Sequence, residues 1–263
     1  MDFTITKYKQ LLSALQSQGF SFLTFGDFLK NPDEKTIILR HDVDLLPNNS
    51  LTFAKIQAKK GIKGSYYFRA VPESWDEKII KEIAGLGHEV GYHYENLTTC
   101  NGDIEKAIED FKVNLEKLRE LAPVSTICMH GSPRSKWDSK DMWEKVSFKE
   151  FGIVGEPYFD INFDEVFYLT DTGRRWDGWK VSLRDKVAQQ EKWKEQGLVF
   201  HSTNDIIKAF TTGKVPGGVE VPDKIMFTFH PQRWNDKAMP WMKELVWQKV
   251  KNLGKGLLVK IRG

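Results

Sequence analysis

Thr36-Ile37-Ile38-Leu39-Arg40-His41-Asp42-Val43-Asp44 runs from β-branched and apolar residues straight into an imidazole and two carboxylates. The first four residues read as a buried strand, and the polar cluster stands where that strand breaks into a loop. If strand geometry continues, carboxylates at i and i+2 share a face, so one can hold a metal while the other takes a proton. The pattern recurs along the chain, with a strand-like apolar run and then a His, Asp, Glu or Arg at its C-terminal end.

Working outward, the repeated order is strand, polar turn, amphipathic helix. A leading helix spans Tyr8–Gln18. Strands are expected at Thr36–Leu39, Gly64–Phe68, Glu89–Tyr92, Ser125–Met129, Phe151–Val154, Val166–Leu169, Leu198–Phe200 and Ile225–Phe229. The helix after the first of these is expected to start at Asn49 or Ser50 and to stop at Gly61. The clearest helix runs from Asp103 to Leu121, with Ile104, Ala107, Ile108, Phe111, Leu115 and Leu118 on one face. Further helices are expected over Asn204–Phe210 and Ala238–Val250. Alternating strands and helices predict the α/β class with a parallel sheet, and this number of units predicts a distorted (β/α)7-type barrel. In such a barrel the catalytic groups sit at the C-terminal ends of the strands. The whole chain, 1–263, reads as one domain, with 1–34 an N-terminal helical extension packed on the barrel.

The 263 residues are 40% hydrophobic and 29% charged, enough for a sizeable core. A net charge of +3, mixed along the chain, suggests neither a nucleic-acid stripe nor a polybasic membrane patch. Cys100 and Cys128 lack the spacing of a zinc or redox pair and read as free thiols of a reducing compartment. Residues 1–7 lack the basic start and apolar core of a signal peptide, and no apolar stretch approaches a bilayer span. A cytoplasmic location is therefore expected.

Asp44, His93 and His130 follow different strands and can converge as an Asp-plus-two-His set for zinc, or for cobalt or nickel, with Glu95 able to join or replace a ligand. Asp42 is the expected general base, with Arg40, Arg69 or Arg175 as its partner. His230, at the end of the last strand, suits a general acid. His41 reads as a supporting or core residue, or as an extra ligand in a phosphoesterase-like barrel. His88 reads as structural, while His201 stays open. Trp137, Trp176, Trp179 and Trp234 lie beside Arg134, Arg174, Arg175 and Arg233, a combination suited to gripping sugar rings. The polar stretch 170–178, with Asp171, Arg174 and Trp176, is expected to line a substrate pocket.

His41-Asp42-Val43-Asp44 and Gly87-His88-Glu89-Val90-Gly91-Tyr92-His93 resemble two motifs of the polysaccharide deacetylases, the NodB-homology group of carbohydrate esterase family 4. The resemblance is strongest from Ile37 to Pro133. It implies a distorted (β/α)7 barrel that uses a divalent metal to remove acetyl groups from sugars. Asp42 would be the base, Asp44 and His93 metal ligands, Arg69 or Arg175 an orienting or oxyanion-stabilising cation, and His230 the late catalytic histidine. The family's second metal histidine falls at Leu97, and its third motif is replaced by Met129-His130-Gly131-Ser132-Pro133, so His130 is expected to supply the missing ligand. The expected substrate is a carbohydrate, such as a nucleotide- or lipid-linked sugar. A metal-free C–N hydrolase and a non-catalytic glycan-binding barrel are the alternatives.

Overall fold

A computed structural model describes residues 1–132, 135–177, 187–215 and 218–262, with side chains as far as 253. Trp179, Arg134 and part of the stretch 170–178 lie outside the described residues. In chain order the elements are α1 (Ile5–Ser17), β1 (Ser21–Leu23), α2 (Phe25–Lys30), β2 (Thr36–Val43), α3 (Pro47–Ala58), β3 (Ser65–Phe68), α4 (Glu77–Gly85) and β4 (Glu89–Tyr94). They continue with α5 (Asn96–Thr99), α6 (Ile104–Arg119), β5 (Ile127–Met129), α7 (Pro157–Asp160), β6 (Phe167–Thr170), α8 (Gln190–Glu195), α9 (Thr203–Thr212), β7 (Lys224–Phe229) and α10 (Ala238–Arg262). The fold is α/β with parallel strands, of the distorted (β/α)-barrel kind expected.

The chain divides into two compact units. One comprises 22–32 and 38–161, the other 1–21, 33–37 and 162–263, so the expected extension 1–34 is shared between them.

In the unit built on 38–161, β2, β3, β4 and β5 lie side by side and parallel, with Asp42 opposite Tyr67, Tyr67 opposite Gly91, and His93 opposite Cys128. Helices α3, α4 and α6 connect them, because a parallel neighbour can be reached only through a long crossover. Each helix start is dictated locally. Asp76 and Asp103 accept the Ile79 and Lys106 amides at the starts of α4 and α6. Helix α3 begins two residues earlier than the polar Asn49 suggests, because Pro47 sits in its first turn, where a missing N–H costs nothing.

The period-2 alternation of strands sorts this sheet into two rows. His41, Tyr66 and Tyr92 serve one face: His41 stacks on Tyr66 at 4.1 Å and meets Gln57 of α3, while Tyr92 packs on Phe111 of α6. Arg40, Asp42, Tyr67, Gly91, His93 and Cys128 form the other row. Its crowding explains Gly91, since a methyl there would collide with the Tyr67 ring and the Thr126 carbonyl.

In the other unit, β6 and β7 are parallel, with Thr170 opposite Thr228. Helices α1 and α9 pack together, and Tyr8, Leu11, Leu12 and Leu15 of α1 are buried. The expected strand at Phe151–Val154 is not one. Phe148–Phe151 winds into a 3-10 turn that starts at the Ser147–Glu150 capping box and ends at Gly152, and among the described residues a bridge joins Thr126 to Gly155 just beyond it. Leu198–Phe200 is irregular too, with its Leu198 amide closing the end of α8 on Trp193.

Gly91→Ala should lower stability by about 1–3 kcal/mol through overpacking against Tyr67. Urea denaturation of the variant checks this, and Gly91→Ala,Tyr67→Leu should recover part of the loss.

Candidate active site

Because β2 to β5 run parallel and in register, their C-terminal ends share one edge, and the residues just past those ends meet there. Asp44 follows β2, Arg69 follows β3, His93 and Glu95 close β4, and His130 follows β5. Asp44 Oδ1 stands 3.6 Å from His93 Nε2 and 3.5 Å from His130 Nε2. The three ligand atoms fall within 4.8 Å of one another.

The other nitrogen of each imidazole shows what Nε2 can do. His93 Nδ1 lies 2.9 Å from the Cys128 carbonyl, which can only accept, so Nδ1 carries the proton. Burial pushes His93 down to about 4, so near neutral pH the ring has a lone pair on Nε2. His130 Nδ1 is 2.8 Å from Glu95 Oε2. Burial alone would raise Glu95, but His130 and Arg69 outweigh it and hold the carboxyl at about 2. A carboxylate so ionised accepts from Nδ1–H and turns His130 Nε2 toward Asp44. Two imidazoles and a carboxylate, each held from behind, form a donor set suited to zinc or a similar divalent ion. The two Asp44–imidazole separations of 3.5–3.6 Å are too long for hydrogen bonds and close to the roughly 3.3 Å edge of a tetrahedron with ~2.0 Å bonds.

An overlapping group, Asp42, His93 and Cys128, is wholly buried. The Asp44 set is the better candidate for chemistry, because Asp44 and His130 are half-buried and a catalytic ion needs an open position.

Asp42 is gripped in bidentate fashion by Arg40, at 2.8 and 2.6 Å, and its Oδ2 lies 3.6 Å from His93 Nε2. Arg69, one of the sequence candidates for that partner, instead holds Glu95 Oε1 at 2.7 and 2.5 Å and donates to the Asp44 carbonyl at 3.2 Å. Glu95 is thus engaged by Arg69 and His130, which makes it a support for His130. His41 is fully buried, with its ring nitrogens on the Ser65 carbonyl and Gln57, so it is no metal ligand. His88 bridges the Gly64 amide and the Ala54 carbonyl. Leu97 is buried in α5. Trp137 is half-buried, with Lys136 Nζ 4.7 Å above its ring.

The second unit holds its own cluster. Asp171 follows β6 and His230 follows β7. Asp171 is completely buried and accepts from His230 Nδ1 at 2.6 Å, Arg233 at 2.9 Å and Trp234 Nε1 at 2.6 Å. Burial raises its pKa, but His230 and Arg233 lower it further, so the net shift is downward and Asp171 is an acceptor. The sequence expectation that Asp171 and two tryptophans line a sugar pocket is corrected here. Trp176 and Trp234 are 2% and 0% exposed and pack with Phe3, Tyr8 and Phe229. Their indole N–H groups bond to Thr203 and Asp171, so neither ring offers a face to a ligand. Arg174 donates to the Trp241 carbonyl and lies 4.2 Å from that ring, while Arg175 pairs with Asp177, which also meets His201.

Arg40 as the Asp42 partner was legible in the i, i+2 spacing. The Cys128 carbonyl carried no sequence signal, since any residue there would supply one.

No family model matches the chain, nor does any curated protein. Among solved structures, a Streptococcus mutans CE4 esterase aligns at 11% identity and TM-score 0.44, over 88% of this chain and 84% of that one. Bacillus subtilis PdaA, a family 4 carbohydrate esterase, aligns at 14% and 0.41, over 92% and 84%. BA3943 of Bacillus anthracis, a CE4 family pseudoenzyme, aligns at 14% and 0.40, over 86% of this chain, which spans 63% of BA3943.

Burial depresses His93 from 6.5 to about 4, so on acidification the unfolded chain takes a proton that the folded site refuses. Its contribution to stability is whole above about pH 6.5 and lost progressively toward pH ~4, by about 2 kcal/mol at pH ~5. Denaturation of chelator-treated protein should show this fall, and His93→Asn should flatten it.

Proposed function

We propose that this chain is a metal-dependent hydrolase that removes an N-acetyl group from a sugar, carried as a nucleotide- or lipid-linked unit or a glycan precursor. The observation that carries this reading is the meeting of Asp44 Oδ1, His93 Nε2 and His130 Nε2, with both imidazoles protonated on the opposite nitrogen. The deacetylase-like motifs at 41–44 and 87–93 supply the choice of an acetamido sugar over other substrates of such a centre.

Asp44, His93 and His130 would hold the ion. When bound, zinc, or cobalt or nickel, supplies Lewis acidity toward a carbonyl oxygen and toward water. Asp42 is the proposed base, since its carboxylate is oriented by Arg40 and reaches the same His93 nitrogen as Asp44. Arg69 and Glu95 are positioning residues that set the tautomer and direction of His130. His230 belongs to the other unit, and its proposed role is proton transfer there. Asp171 fixes its Nδ1–H and so leaves proton exchange to Nε2.

Elemental analysis of the wild type should find about one divalent ion per chain, lost from Asp44→Ala, His93→Ala and His130→Ala. Asp42→Asn should keep the ion yet lose acetate release from acetamido sugars by on the order of 10²–10⁴-fold. A wild type that takes up no ion after incubation with zinc, cobalt or nickel would overturn the metal reading and favour a metal-free hydrolase or a glycan-binding barrel.

A further inference from the structure

Helix α10 is 25 residues long and offers solvent an ordered apolar stripe. Met239, Met242, Val246, Trp247, Val250 and Leu253 are each 52–76% exposed. Their spacing of mostly three or four residues puts them on one side of the helix. The opposite side is already occupied. Trp241 Nε1 donates to the Asp2 carbonyl at 2.7 Å, Asn252 to the Gly173 carbonyl at 2.9 Å, and Gln248 is buried. The stripe is therefore not the face that seats the helix on its unit, and contiguous exposed apolar surface of this kind marks an interaction site.

Charge says what covers it. Between 238 and 262 the helix carries Lys243, Lys249, Lys251, Lys255, Lys260 and Arg262 against a single acid, Glu244. That is a net +5 in a chain of net +3, so all the remaining residues together carry −2. The near-neutral total, which suggests no basic membrane patch, conceals this asymmetry. Lys243, Lys249 and Lys251 are exposed alongside the stripe, and Lys251 Nζ lies 5.0 Å from the Trp247 ring centroid. A second copy meeting this face through its own would bring like charges together. An anionic lipid surface satisfies both the apolar stripe and the lysines. No helix among the described residues is long and apolar enough to cross a membrane, which fits a helix lying on a bilayer.

We propose that the exposed face of α10 docks the protein on anionic membrane surfaces, with Met242, Val246, Trp247 and Val250 entering the headgroup boundary and Lys243, Lys249 and Lys251 pairing with lipid phosphates. This inference is independent of the chemistry proposed above.

Co-sedimentation of the full chain with vesicles tests it, using phosphatidylcholine alone and an equimolar mixture with phosphatidylserine. Wild type should bind the mixed vesicles, bind phosphatidylcholine far more weakly, and dissociate as salt rises. Met242→Gln,Val246→Gln,Val250→Gln, all at exposed positions, should abolish binding with an unchanged circular dichroism spectrum. Lys243→Gln,Lys249→Gln,Lys251→Gln should weaken it on the order of a hundredfold. Absence of wild-type binding at low salt, or binding that survives the apolar triple change, would overturn the proposal. So would a lipid-free dimer, seen by light scattering, that the apolar triple change dissociates.

Discussion

Parallel pairing with an even register is the constraint on which the rest depends. It makes β2, β3, β4 and β5 end along one edge, and the period-2 alternation of strand side chains then decides which residues past that edge face each other. Asp42 and Asp44 share a row because they are two apart. His93 and Glu95 share theirs for the same reason, as do Cys128 and His130. One residue of slip in β4 would turn His93 toward the helices and bring Tyr92 or Tyr94 into the polar row.

A row of charges inside a fold is costly unless each is matched, and the matching is local here. Arg40 meets Asp42 on its own strand, and Arg69 meets Glu95 from the neighbouring one. In the other unit Asp171 gathers His230, Arg233 and Trp234. Removing one member of such a group strands the rest in a low-dielectric interior, so these networks impose orientation more than they add stability. Orientation is what the two imidazoles of the candidate site require. A carbonyl holds Nδ1 of one and a carboxylate holds Nδ1 of the other.

Much of this was legible in the chain, and the errors have definite causes. Polar residues closing apolar runs marked Asp42, Asp44, His93, His130 and His230, because a parallel strand buried on both faces keeps its polar residues toward its ends. Trp176 and Trp234 misled, since tryptophan in a polar loop reads alike whether its ring faces a ligand or anchors the loop. The anchor role follows from a buried acceptor, Asp171, 63 residues before Trp234 in the chain. Phe151–Val154 misled for a local reason: the capping box of Ser147 and Glu150 starts a 3-10 turn that runs through Phe151 and ends at Gly152, inside the expected strand.

By itself the sequence determined the class of fold, the strand ends where polar residues gather and the residue types found there. Those follow from hydrophobic periodicity and from the cost of burying charge, which act over a few residues. The partners were decided only in three dimensions. Arg69 serves Glu95 rather than Asp42, Asp171 serves His230 rather than a ligand, and a backbone carbonyl sets the His93 tautomer. Partnership depends on register between strands distant in sequence, and a carbonyl oxygen, identical in every residue, acquires a role only where the fold puts it.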